Sequence, residues 1–111
     1  MVCEIEIKSH SNPRIHKCDI YGGFGAGVLI HENARGLLED NVIRTCSLDG
    51  IQVRSGAAPV VLKNRLVECD GAGIFVSDGG QGFFNHNEIR GNHWCGEFFK
   101  CSRPCTISHC P

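Results

Sequence analysis

The sequence predicts an all-β fold, a right-handed single-stranded parallel β-helix (solenoid) of about four to five coils of 23 residues each. Three observations predict it. Sliding the 111-residue chain along itself by 23 positions brings Gly27, Gly50, Gly73 and Gly96 into one column, together with five further columns, and needs no insertion between Ile5 and Cys110. Within each period the apolar residues alternate with variable ones, the period-2 signature of a strand with one buried face. Glycine is abundant, with 14 residues, and helix formers never gather at a 3.6-residue spacing.

Each coil reads as three short strands joined by corners. In the first strand, one inward column holds Ile5, Val28, Ile51 and Ile74, and a second holds Ile7, Ile30, Val53, Val76 and Phe99. Between and beside them lie the outward columns Leu29, Gln52, Phe75 and His31, Arg54, Ser77. The second strand centres on Ile15, Leu38, Val61, Phe84 and Ile107, with Leu37, Val60 and Phe83 as an outward row. The third centres on Ile20, Ile43, Leu66 and Ile89, flanked by Val42, Arg65, Glu88 and by Arg44, Val67, Arg90. Parallel strands from successive coils then pair at about 4.8 Å.

The corners have their own columns. Asn41, Asn64 and Asn87 share one, continued by Cys18 below and Cys110 above. A side-chain amide both donates and accepts, so asparagines in one register form a structural ladder. Cys46 and Cys69 share an inward column with Asn92. Gly27, Gly50, Gly73 and Gly96 open the first strand of each coil, where a structural corner calls for positive φ or for close backbone packing. That register also disposes of a phosphate-loop reading of Gly22–Ile30, "GGFGAGVLI": a strand follows it, and neither G-x-G-x-x-G nor G-x-x-x-x-G-K-[ST] is present. The whole chain, 1–111, is read as one domain with coils near 4–26, 27–49, 50–72 and 73–95, and a partial or distorted coil over 96–111, where Glu97 interrupts an apolar column.

Composition narrows the function classes. A net charge of −1 leaves no electrostatic footprint for nucleic acid or for an anionic membrane. No apolar run approaches the ~20 residues of a spanning helix. The opening "MVCEIEIKSH" alternates apolar and charged residues, unlike a signal peptide. With no such leader and no N-x-S/T site, the eight cysteines read as reduced buried thiols of a cytoplasmic protein, with the nucleus as a second compartment.

Catalysis is not expected. Asp19, Asp40, Asp49, Asp70 and Asp78 fall in five different columns, and the adjacent Glu39 and Asp40 face Leu62 and Lys63 one turn up. No paired carboxylates emerge of the kind glycoside cleavage requires. The C-terminal segment holds His93, Cys95, Cys101, Cys105, His109 and Cys110, but no C-x2-C pair. Cys95, Cys101, Cys105, His109 and Cys110 are weak zinc candidates on that spacing, and neither metal nor cofactor is expected.

The segments "GVLIHENARGLLEDNVI", "GIQVRSGAAPVVLKNRL" and "GIFVSDGGQGFFNHNEI" resemble the parallel β-helix repeats of the F-box-only proteins, in their carbohydrate-binding-and-sugar-hydrolase-like region. The resemblance spans nearly the whole chain; "HSNPRIHKCDI" and "RSGAAPVVLKNRL" point to the F-box group in particular. It implies the substrate-recognition region of an SCF-type ubiquitin ligase, with protein substrates as partners. No helical F-box module precedes the coils, so the chain is read as a fragment, short form or degenerate copy, and adaptor binding is not expected of it. The alternative is a β-helix that binds or cleaves polysaccharide.

Surface columns discriminate the two. Leu29 and Phe75 in one row, and Leu37, Val60 and Phe83 in another, are apolar rows without carboxylates, which favours protein binding. Uncapped strand edges at the ends lead to an expectation of end-to-end self-association and marginal stability for the isolated chain. The register itself has a direct test. Val53→Asp, inward, should abolish folding through an unpaired buried charge, while Gln52→Asp, outward, should leave circular dichroism and thermal unfolding almost unchanged. Equal behaviour of the two variants would contradict the strand register.

Overall fold

The computed structural model describes residues 3–21, 25–91, 97–100 and 106–107, and these contain strands but no helix. The first coil has β1 (Cys3–Ile7), β2 (Arg14–His16) and β3 (Asp19–Tyr21); the second has β4 (Ala26–Ile30), β5 (Leu37–Glu39) and β6 (Val42–Arg44). The third has β7 (Ile51–Val53), β8 (Val60–Leu62) and β9 (Arg65–Val67); the fourth has β10 (Ile74–Ser77), β11 (Phe83–Asn85) and β12 (Glu88–Arg90). Two further strands, β13 (Glu97–Lys100) and β14 (Thr106–Ile107), follow.

Equivalent strands stack into three parallel sheets. The first is β1-β4-β7-β10-β13, the second β2-β5-β8-β11-β14 and the third β3-β6-β9-β12. Every pairing joins a residue to the one 23 positions away, as in Val28↔Ile51, Leu38↔Val61 and Ile43↔Leu66. The chain is therefore an all-β parallel solenoid. Ile74 pairs with Glu97, so the apolar column breaks there while the backbone register continues.

The inward columns form one continuous core that includes Val28, Ile30, Leu38, Ile43, Ile51, Val53, Val61, Leu66, Ile74, Val76, Phe84 and Ile89. Ile5 and Ile15, in the first coil, pack against it only partly buried. Cys46 and Cys69 lie inside it as thiols outside any disulfide, each donating to a carbonyl of its own coil, that of Arg44 or Val67. Among the described residues no helix is long and apolar enough to cross a membrane.

Asn41, Asn64 and Asn87 are buried at the corner between the second and third sheets. Their amides run head to tail. Asn41 Nδ2 donates to Asn64 Oδ1 at 3.0 Å, and Asn64 Nδ2 donates to Asn87 Oδ1 at 3.2 Å. Each Oδ1 also accepts the backbone N–H of the residue below it in the column, Cys18, Asn41 or Asn64, at 2.9–3.0 Å. Each Nδ2 donates further to a carbonyl of the preceding coil, that of Ile15, Leu38 or Val61. Buried polar groups are tolerated when fully bonded, and Asn41 and Asn64 meet that condition. Cys18, in the same column, contributes only its N–H.

Of the two reasons expected for glycine at this corner, close packing is the one found at Gly27 and Gly50. Gly27, Gly50 and Gly73 do not have positive φ. Close approach is what requires glycine: a Cβ on Gly27 would lie 2.7 Å from Ile43 Cγ2 and 2.8 Å from the Gly50 carbonyl oxygen. A Cβ on Gly50 would lie 2.7 Å from the Gly73 carbonyl oxygen. Gly96 lies outside the described residues.

The left-handed backbone is carried by other residues, also at the coil period. Lys17, Asp40, Lys63 and His86 have φ of 55–57°, and Glu32, Ser55 and Asp78 have φ of 50–55°. Such a conformation costs roughly 1–2 kcal/mol for a residue with a Cβ. Stacking offsets it, because these corner N–H groups reach the next coil: Lys17 N to Glu39 O at 3.2 Å, Asp40 N to Leu62 O at 3.2 Å, Lys63 N to Asn85 O at 3.1 Å.

Replacing Asn64 by alanine leaves the Asn41 N–H and amide without their acceptor and the Leu38 carbonyl without a donor. The variant should lose about 3 kcal/mol of unfolding free energy in urea titration. A loss below about 0.5 kcal/mol, the range of an ordinary surface change, would contradict a buried ladder.

Candidate functional site

The solenoid exposes three outer faces, and they differ in chemistry. On the third sheet the outward side chains neutralise one another. Arg44 donates to both carboxylate oxygens of Asp19, from Nε and Nη2, each at 3.0 Å. Its guanidinium also lies 4.3 Å from the centre of the Tyr21 ring. Glu88 accepts from Arg90 Nε at 2.6 Å and pairs with Arg65 at 3.6 Å. The hydrogen bond from Arg44 holds the Asp19 carboxyl below its ordinary value, and that from Arg90 does the same for Glu88. Val67, between Arg44 and Arg90 in sequence column, is buried.

The first sheet is closed over differently. Glu6 and His31 meet at 2.7 Å, and this hydrogen bond lowers the Glu6 carboxyl. Leu29 is only 1 % exposed, so it is not a binding-surface residue. The expectation for Leu29 is corrected by that burial. Gln52 donates from Nε2 to Asp49 Oδ2 at 2.7 Å, and Phe75 is half-buried and lines a cleft with Leu48 and Gly71. The same contact changes the Gln52→Asp expectation: aspartate there would lose that hydrogen bond and set a carboxylate against Asp49. A loss of stability smaller than that of Val53→Asp now replaces a silent change.

The second sheet keeps an open apolar row. Its outward columns are Arg14, Leu37, Val60, Phe83 and His16, Glu39, Leu62, Asn85, in register across β2, β5, β8 and β11. Leu37, Val60 and Leu62 are half-buried, and Phe83 is 40 % exposed, among the most exposed large apolar side chains described. Strand pairing spaces these residues at about 4.8 Å per coil.

A polar group lies at the first-coil end of this face. The donor atoms of His16, Glu39 and Asp40 all fall within 4.8 Å of one another, and His16 Nε2 is 3.5 Å from Asp40 Oδ2. Among the described residues this is the grouping whose donor types would suit a metal ion. The sequence signal for it was present but on the other side: His16 stands one period below Glu39, whereas the residues one period above are Leu62 and Lys63. The weak zinc candidates Cys95, Cys101, Cys105, His109 and Cys110 lie outside the described residues.

A family model described as right handed beta helix region matches residues 3–110. No curated protein and no solved structure gives a significant match. The 23-residue register, the three parallel sheets and this match over nearly the whole length agree. The chain belongs to the right-handed β-helix family.

Proposed function

We propose that this chain is a non-catalytic platform that binds another protein through the outer face of its second sheet. The observation that carries the reading is the row Leu37, Val60 and Phe83, with Leu62 beside it, left open while the third sheet is occupied by ion pairs and Leu29 on the first is covered. Apolar rows rimmed by polar groups are what protein interfaces use, and His16, Glu39, Asp40 and Arg14 supply the rim. The resemblance of the three central repeats to those of F-box-only proteins supports a finer reading. On it, the face is the substrate-recognition surface of an SCF-type ubiquitin ligase, and the partner is a protein substrate. A cytoplasmic or nuclear setting accords with the thiols of Cys46 and Cys69 held inside the core.

A polysaccharide-cleaving β-helix is the second reading. Glu39 and Asp40 place carboxylate oxygens within 4.8 Å, near the ~5 Å of a retaining pair. It is the weaker one, because the apolar row extends over three coils and the carboxylate pair occupies one.

Proximity labelling with the chain carrying Phe83→Glu, beside wild type and the exposed-corner variant Glu68→Lys, separates these readings. Phe83 is 40 % exposed and pairs with Val60, so Phe83→Glu should cost about 1 kcal/mol, with the circular dichroism of the folded chain retained. Proteins labelled by wild type and by Glu68→Lys should be lost with Phe83→Glu, and adaptor and cullin subunits should be absent from all three. Unchanged labelling by Phe83→Glu would remove the face from the mechanism. Release of reducing sugar from a polysaccharide panel, abolished by Glu39→Gln, would instead establish the second reading.

A further inference from the structure

The corner joining the third sheet to the first holds a cleft of about 250 Å³, lined by Ser47, Leu48, Asp49, Asp70, Gly71 and Phe75. It lies apart from the second-sheet face. One wall is apolar: Leu48 is 41 % exposed, and Phe75 is half-buried.

The other wall is acidic, and its acids differ from those elsewhere on the surface. Asp49 is only 8 % exposed. Its Oδ1 accepts the Ala72 N–H at 2.7 Å, and its Oδ2 accepts from Gln52 Nε2 at 2.7 Å. A Cβ on Gly71 would collide with Asp49 Oδ1, so glycine there lets the carboxylate sit inside the corner. Both of its hydrogen-bond donors are neutral. Among the described residues no lysine, arginine or histidine forms an ion pair with Asp49 or with Asp70, whereas Asp19 and Glu88 each have an arginine.

The lining selects its occupant by elimination. An anion meets two carboxylates. A neutral alkyl group would displace water from Asp49 and Asp70 without offering a donor, which costs free energy. A hydrated divalent ion gains nothing from Leu48 and Phe75. A cationic head on an alkyl stem satisfies both walls, with methylenes along the Leu48 and Phe75 side chains and the charge at the carboxylates. We propose that this cleft is a binding site for a primary alkylammonium group, supplied either by a lysine side chain of a protein or by a free polyamine.

The test is an amide chemical-shift titration of the whole chain with Nα-acetyl-lysine N-methylamide, its neutral norleucine analogue, and spermidine. The lysine probe should shift the amides of Asp49, Asp70, Gly71, Ala72 and Phe75 and saturate with a dissociation constant on the order of 1 mM. The norleucine probe should bind at least about fivefold more weakly, the scale of one exposed ion pair, and added salt should weaken the lysine probe. Asp70→Asn should lower affinity by about the same fivefold. Asp70 is exposed, and its carboxylate accepts no hydrogen bond among the described residues while its N–H donates to the Cys46 carbonyl, a bond Asp70→Asn keeps, so the rest of the spectrum should be unchanged. Tighter binding of the lysine probe than of spermidine assigns the site to a protein side chain, and the reverse assigns it to a polyamine. Equal response to lysine and norleucine, unaltered affinity in Asp70→Asn, or shifts spread over every acidic surface would each overturn the proposal.

Discussion

Backbone N–H and C=O groups in this chain find partners in the neighbouring coil, so each residue must lie over the one 23 positions earlier. Everything else follows from that stacking. The inward columns stay apolar from the first coil through the fourth, which makes the core continuous there. A corner column must repeat its polar chemistry, which Asn41, Asn64 and Asn87 do by sharing hydrogen bonds. Even backbone strain is periodic, since Lys17, Asp40, Lys63 and His86 take the same left-handed turn. Stability in such a stack is a sum of nearest-neighbour contacts, so each coil depends on the one beneath it.

The same regularity divides labour among the outer faces. A charge at one level stands about 4.8 Å from its neighbour in the next, close enough to pair. The third sheet uses this in Asp19–Arg44 and Arg65–Glu88, and Glu88 is bonded besides by Arg90 of its own strand. The second sheet carries aliphatic and phenyl side chains at the corresponding positions and so presents area instead of charge. The corner by Asp49 is a third kind of surface, where carboxylates face an apolar wall and are offset by no cation among the described residues.

Much of this was legible in the sequence, because stacking gives each column one environment and so one kind of residue. Val28, Ile51 and Ile74 announce a core position together, more clearly than any of them alone. What was not legible lies where the repeat is broken or where different columns meet. Leu29 looks outward by parity, yet it is buried, as is every residue of its strand. The left-handed corners leave no glycine signal, since Lys17, Asp40 and Lys63 adopt them under the pull of interchain-like hydrogen bonds between coils. His16, Glu39 and Asp40 meet across adjacent coils and adjacent columns, and the Asp49 cleft gathers residues from a corner, a loop and a strand. His16 and Glu39 share a column, as do Ser47 and Asp70, but neither column repeats its chemistry from coil to coil, so periodicity does not single them out.

The head-to-tail direction of the asparagine amides bears on how a gene for such a chain can change length. Removal of residues 50–72 would set Asn41 beneath Asn87, Ile43 beneath Ile89 and Val28 beside Ile74, with donors still facing acceptors. Removal of one residue more or fewer would turn the following inward side chains to solvent and leave the amides facing the wrong partners. Insertions and deletions are thus quantised, and the unit of inheritance for this architecture is the whole coil.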